Sequence, residues 1–194
     1  MLTPMSKKLR AAWQRFSRSE SGVSAIEFVF VAPVVFLIMG VIIETGFMLF
    51  VESSLQASVE NASRAVRTGS AQMGGLSSAN FKTNICNDMG AIASCSNIVV
   101  YVNSATNYTN LVAVVPPILN IGPATGTNTV SAPPCYNPGS PSQPAIIIAT
   151  YDWYFTSLGM SAAFGNVAGN TARRLSAVKL FQNQPYPGSS PGTC

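Results

Sequence analysis

An uninterrupted apolar run over residues 28–43 constrains this chain more than any other feature of its sequence. The run is 16 residues long, and Glu27 and Glu44 stand at its two ends. A membrane-spanning helix needs about 20 apolar residues, with a lower limit of about 17. Because apolar side chains continue beyond both glutamates, residues 23–51 are long enough to cross a bilayer. Pro33 removes one backbone donor inside the run, so we expect a kink or a local loosening there.

The net charge of the chain comes from its first residues. Residues 1–20 hold five basic residues and one acidic residue, which gives 5 − 1 = +4, whereas residues 21–194 hold six of each. Charged residues make up only 9% of the chain, against about 25% in typical globular proteins. A short basic segment beside an apolar one orients a membrane span, with the basic side in the cytoplasm. The sequence therefore indicates a membrane or envelope protein and argues against nucleic-acid binding, which favours basic residues spread over a folded surface.

A cleaved secretory signal peptide is the main competing interpretation of the first 51 residues. The basic start fits it, but no Ala-x-Ala-like cleavage site follows the apolar run, and apolar residues resume there. We therefore expect the apolar segment to remain in the mature protein.

Beyond the apolar segment, the sequence continues with a helical pattern. Apolar residues recur at spacings of three or four and form one stripe: Met48, Val51, Leu55, Val59, Ala62 and Val66. Arg64 and Arg67 suit the last turn of a helix, and Gly69 suits the position just after it. The pattern predicts one helix of roughly 40 residues, in which residues 52–69 form an amphipathic extension.

Residues 70–194 have the composition of a small β-rich domain. Four stretches are typical of strands by length and β-branched content: residues 97–103, 110–115, 144–155 and 174–182. Proline-rich segments separate them, and residues 118–143 are expected to form a long surface excursion. The predicted fold is α+β, with a long N-terminal transmembrane and amphipathic helix packed on a small antiparallel sheet.

Four cysteines follow the apolar segment, at Cys86, Cys95, Cys135 and Cys194. An even count outside the membrane suits an oxidising compartment and two disulfides. Four cysteines allow three pairings, among which the sequence does not choose. The short separation favours Cys86–Cys95, which would leave Cys135–Cys194.

Residue types needed for catalysis are scarce. The chain has no histidine, so a Ser-His-Asp or Cys-His site is impossible. Asp88 and Asp152 are the only carboxylates beyond residue 60, and neither lies in a recognisable motif. No Cys-x-x-Cys pair or nucleotide-binding loop is present. We expect no enzymatic activity, no metal and no cofactor, and a secreted hydrolase is the least favoured alternative.

The stretch "SGVSAIEFVFVAPVVFLIMG" behind a basic leader resembles the type IV prepilin processing signal. The matching elements are Gly22, four mostly apolar residues, Glu27, the aromatic Phe28 and a long apolar helix. More narrowly, residues 15–69 resemble the TadE-like family, the pseudopilins and minor pilins of the Flp (tight adherence) pilus system. Features that match the family there are Pro33, Glu44, Arg64 and Arg67, and the C-terminal "AVKLFQNQPY" also resembles family ends.

This resemblance implies a processed, membrane-anchored assembly protein. A prepilin peptidase would cut between Gly22 and Val23 and remove a leader of residues 1–22, while Glu27 and Phe28 would serve subunit assembly. Residues 23–51 would cross the bacterial inner membrane once, with the N-terminus in the cytoplasm and residues 70–194 in the periplasm. Partners would be other pilins and the pilus assembly machinery. The alternative is an anchored periplasmic binding module that never joins a filament.

Overall fold

The structure, a computed structural model, describes residues 21–118, 121, 135–157, 159–167, 169, 171–187 and 192. The chain divides into two compact units, with the boundary between Ile43 and Glu44. Residues 1–20 of the predicted leader lie outside the described residues, and so do residues 122–134 of the predicted surface excursion.

The first unit consists of the start of helix α1, which extends over Ser21–Arg67 and continues into the second unit. The helix continues through Pro33 without interruption. Almost every large apolar side chain between Ile26 and Ile43 is exposed; Phe30, for example, is 76% exposed. By length and composition alone, α1 is long and apolar enough to cross a membrane. No further helix among the described residues meets that criterion.

The second unit contains a three-stranded antiparallel sheet in the order β1-β2-β3. The strands are β1 (Ile98–Ser104), β2 (Pro144–Trp153) and β3 (Arg173–Gln182). In the central register, Val100 pairs with Ala149, and Ala149 pairs with Ala177. The α+β fold predicted from the sequence is thus confirmed, and three of the four predicted strands form with boundaries shifted by one or two residues.

One face of the sheet shares a hydrophobic core with the predicted stripe of α1. All six stripe residues are buried, and Val51, Leu55 and Val66 are fully so. They lie in one cluster with inward-facing strand residues such as Ile147 and Leu175. Residues 44–51 of the predicted span therefore contribute side chains to this folded unit. The helix ends as predicted, since Gly69 follows it with a φ of 81°.

An ion pair is buried at the end of the sheet. Asp152 and Arg174 are cross-strand partners. The Arg174 guanidinium donates two hydrogen bonds to the Asp152 carboxylate, from Nε at 2.6 Å and from Nη2 at 2.7 Å. The two side chains are only 2% and 0% exposed. Asp152, one of the two carboxylates without a recognisable motif, is therefore held in the folded unit by its strand partner.

Short helices surround the sheet, and one of them corrects the sequence prediction. They are α2 (Ser70–Met73), α3 (Ser78–Met89), α4 (Tyr108–Val114) and α5 (Met160–Phe164). The expected strand at residues 110–115 was wrong, because those residues lie mainly in α4. The Asn107 side chain accepts from the Asn110 backbone N–H at 2.8 Å, which caps the first turn of a helix.

Helix α3 was not predicted from the sequence. Phe81, Ile85 and Met89 recur at spacings of four and are buried, and the Ser77 side chain caps the first turn by accepting from Asn80. The apolar spacing and the capping serine were both present in the sequence, but the polar residues between the apolar positions are typical of a loop.

Candidate functional site

The predicted processing segment lies at the start of α1. The backbone of Gly22 and Val23 is helical, and Glu27 and Phe28 are exposed in the turns that follow. Val23 and Glu27 are four residues apart, so they lie on one helix face with an axial offset of about 6 Å. An amine created at Val23 would therefore be close to the Glu27 carboxylate of its own chain, and Glu27 is open to a neighbouring helix.

Glu44 occupies a different environment from the one expected for an acid at the outer edge of a span. An acid at that edge would ordinarily face water or headgroups, but Glu44 is buried. Its carboxylate accepts from the Thr156 backbone N–H at 2.5 Å, from the Thr156 hydroxyl at 2.9 Å and from the Ser157 backbone N–H at 3.1 Å. These bonds satisfy an ionised carboxylate without water and attach the segment after β2 to α1.

The C-terminal "NQPY" holds the other end of α1. The Gln184 backbone N–H donates to the Arg67 carbonyl at 2.8 Å, so it satisfies one of the carbonyls left open at the helix end. The Tyr186 ring lies against Gly69, and its hydroxyl donates to the Gly139 carbonyl at 2.9 Å. Burial raises the pKa of Tyr186. The "NQPY" segment thus caps the long helix and holds its end against the loop before β2.

Asn183 and Gln72 extend this clamp to the loop before β2. The Asn183 side chain donates to the Pro138 carbonyl at 2.9 Å. The Gln72 side chain donates to the carbonyls of Val66 and Pro138, both at 3.1 Å. Amide side chains therefore connect the end of α1, the loop before β2 and the C-terminal segment through backbone carbonyls.

An open groove of about 340 Å³ lies between α1 and β3. Glu60 and Lys179 form an ion pair there, each side chain being about two-fifths exposed. The hydrogen bond from Lys179 is the main cause that lowers the pKa of Glu60. The contribution of this pair to stability is therefore present above the ordinary pKa of a glutamate and is lost as the pH falls through the lowered value.

The cysteines are only partly within the described residues. Cys86 and Cys95 form a disulfide with a Cα–Cα distance of 5.5 Å, which joins α3 to the turn before β1. This is the local pairing that the short separation favoured. Cys135 is buried and disulfide-bonded, but the predicted Cys135–Cys194 pairing falls on Cys194, which lies outside the described residues.

No group suited to metal binding or covalent catalysis emerges from the described part of the chain. Its acidic and cysteine side chains do not gather in threes. The features that the structure does assemble are an exposed apolar helix with one acid near its start, and two polar anchors, Glu44 and the "NQPY" segment. Neither anchor was assigned a contact from the sequence. The partners of Glu44 are 112 and more residues away, and those of "NQPY" lie at the end of α1 and in the loop before β2.

Comparison with known protein families gives a match that lies in helix α1. Residues 22–64 match the family model described as TadE-like protein. No match was found among curated proteins, and none was found among solved structures. The matched range begins at the predicted cleavage position and ends just before the end of α1, so it covers the helix and not the sheet. Over residues 22–64, this chain is therefore similar to the family described as TadE-like protein.

Proposed function

We propose that the chain is a membrane-anchored pseudopilin or minor pilin of an Flp pilus system, and that it acts in pilus assembly after its leader is removed. The observation that carries the proposal is the placement of Glu27 in the matched helix. It is a lone exposed acid, in the first turns of an otherwise apolar surface. An ionised acid among apolar side chains is stabilised by a cationic partner, and in an assembly protein a neighbouring subunit can supply one.

The energetic reason is the cost of an ionised carboxylate in lipid. An acid at the centre of a span costs about 2.5–3.5 kcal/mol, and less towards an interface. Cleavage after Gly22 removes the basic leader and creates an α-amino group at Val23. That amine can pair with Glu27 of an adjacent chain, so that processing and subunit engagement become chemically linked. Under the proposal, the helix crosses the inner membrane once, with the leader in the cytoplasm and the sheet domain in the periplasm. A prepilin peptidase and other pilins are the partners.

The first experiment determines the mature N-terminus. Mass spectrometry of the protein from cells with an active prepilin peptidase should show Val23 as the first residue. Gly22→Val should leave the leader attached, because a β-branched side chain blocks close approach of a protease to the backbone. Gly46→Ala is the matched control on the same helix, since a Cβ there meets open space. Retention of Met1 in wild-type cells would refute processing.

The second experiment separates assembly from anchoring. Glu27→Ala and Glu27→Gln should both abolish surface pili while the protein stays in the membrane fraction, because either change removes the charge but not the apolar helix. Glu52→Ala, an acid of the same helix beyond the apolar segment, should leave piliation intact. Normal piliation of the Glu27 variants would favour the alternative, an anchored periplasmic binding module outside the filament.

A further inference from the structure

We propose that the end of the sheet domain where the chain enters it carries an aromatic surface that lies in the lipid headgroup layer. We define this aromatic surface as Phe47, Phe50, Trp153, Tyr154 and Phe164. The inference rests on the membrane anchoring in the proposed function and goes beyond it, because it assigns a lipid contact to the folded domain itself.

Exposure along α1 gives the first argument. Within the second unit, Glu44, Met48 and Val51 face the domain, whereas Phe47, Leu49 and Phe50 are 48–55% exposed. A soluble domain has no reason to expose three large apolar side chains in four residues. The exposed positions become polar beyond this point, at Ser53, Gln56 and Asn61. The apolar surface thus continues into the folded unit and stops within one further turn.

The strand side of the domain presents matching residues at the same end. The Phe47 and Trp153 rings lie 5.7 Å apart. Tyr154 follows Trp153 in sequence and is 46% exposed, and Phe164 is 52% exposed. The Arg173 guanidinium donates to the Phe164 carbonyl at 3.3 Å, and Arg173 is the strand partner of Trp153. Aromatic rings with a cation beside them are the composition of membrane-interface belts.

The length of the helix fits this position. Residues 24–43 extend about 30 Å at 1.5 Å per residue, which equals the hydrocarbon thickness of a bilayer. Residues 44–50 add about 10 Å, which reaches through the adjoining headgroup layer. Glu44 would then lie at the hydrocarbon boundary, where its three hydrogen bonds from Thr156 and Ser157 keep the carboxylate satisfied away from water. We therefore expect the aromatic surface to contact the lipid interface and not a soluble protein.

Tryptophan fluorescence tests the proposal on the full chain. The protein has two tryptophans, so Trp13→Phe leaves Trp153 as the only one. The variant is reconstituted into vesicles of phosphatidylethanolamine and phosphatidylglycerol that carry a spin label either near the headgroup or near the bilayer centre. Trp153 is partly buried against the domain core, so shielding from aqueous iodide would follow from folding alone and the lipid labels are the readout. Trp153 should be quenched at least about twofold more by the shallow label than by the deep label.

The matched control moves the reporter along α1. In a Trp13→Phe, Trp153→Phe background, Asn61→Trp places a tryptophan at an exposed position of the same helix, about 16 Å beyond Phe50. It should be quenched by iodide and not by either label. If Trp153 behaves like this control, the aromatic surface faces water and the proposal is wrong. Protection of Trp153 only after addition of another pilus protein would equally overturn it, because the occupant would then be a protein.

Failure of this proposal is distinguishable from failure of the anchoring. Resistance of the protein to carbonate extraction reports the helix alone. A chain that resists extraction but leaves Trp153 unquenched by either label keeps its anchor and loses the aromatic contact. A chain extracted by carbonate has no anchor, and both proposals then fall together.

Discussion

Two ion pairs lie among the described residues of the sheet domain, one buried and one exposed. We expect very different losses of stability when one partner is removed from each. Asp152→Asn keeps the shape of the side chain and removes the charge that faces a guanidinium only 2% exposed. Breaking a buried pair from one side costs about 3–5 kcal/mol. Glu60→Gln breaks a pair whose members are 36% and 45% exposed, and such pairs contribute about 0.2–1 kcal/mol.

The measurement is thermal unfolding of the full chain in detergent micelles, followed by near-ultraviolet circular dichroism. For a folded unit of this size, each kcal/mol shifts the midpoint by about 2–4 °C. Asp152→Asn should therefore lower it by about 6–20 °C, and Glu60→Gln by no more than about 4 °C.

A double-mutant cycle tests the reasoning behind the larger value. Replacing both members of a buried pair with apolar residues of similar size is often close to neutral. Asp152→Leu with Arg174→Met should therefore be clearly more stable than the sum of the two single changes predicts. Equal losses for Asp152→Asn and Glu60→Gln, or additive single changes in the cycle, would refute the claim that burial decides the cost.

Three further predictions concern other parts of the sheet domain. A left-handed backbone costs a residue with a Cβ about 1–2 kcal/mol. Gly69→Ala should lower stability by more than that, because the new Cβ would also lie 2.3 Å from the Tyr186 ring. Urea unfolding measures the loss. Burial raises the pKa of Tyr136 from 10.0 to about 12, so its contribution to stability is complete below pH 10 and is lost as the pH rises towards 12; a pH series of melting temperatures, compared with Tyr136→Phe, should show it. Replacing Cys86 and Cys95 together by alanine should cost roughly 2–3 kcal/mol in urea unfolding, the loss expected for a short closed loop.

Each of these three has an outcome that contradicts it. A Gly69→Ala protein as stable as the wild type would mean that Tyr186 does not lie over the helix end. Parallel alkaline melting curves for wild type and Tyr136→Phe would remove Tyr136 as the titrating group. A cysteine double variant of unchanged stability would show that the loop is already ordered without its disulfide.

The spacing of apolar residues predicted the buried face of α1 well, because this spacing involves only residues that are close in sequence. The stripe from Met48 to Val66 repeats every three or four residues, and burial of one helix face follows directly from that repeat. The strands β1, β2 and β3 were similarly visible as β-branched runs. Gly69 was visible because a helix commonly ends with a left-handed residue.

The contacts of Glu44 could not be predicted from such patterns. Its partners lie more than one hundred positions away in sequence, and nothing local in "GVIIETG" distinguishes a buried acceptor from an acid in water. The pairing of Asp152 with Arg174 has the same cause, because it depends on the register between β2 and β3. The strand expected at residues 110–115 failed because its β-branched residues favour a strand, while the Asn107 cap and the packing of Leu111 favour a helix.

The clamp of the "NQPY" segment on the end of α1 has a consequence for biogenesis. Ribosomes deliver α1 first and Gln184 and Tyr186 only after β3, so the apolar stripe of the helix is synthesised before the strands that cover it. The sheet cannot close over that stripe until β3 has arrived, and the helix end is not capped until the residues after β3 have followed. Truncations that remove residues 183–186 should therefore act like core mutations and leave an open domain that proteases cut readily. The fold thus makes synthesis through Tyr186 a condition for a stably closed sheet domain.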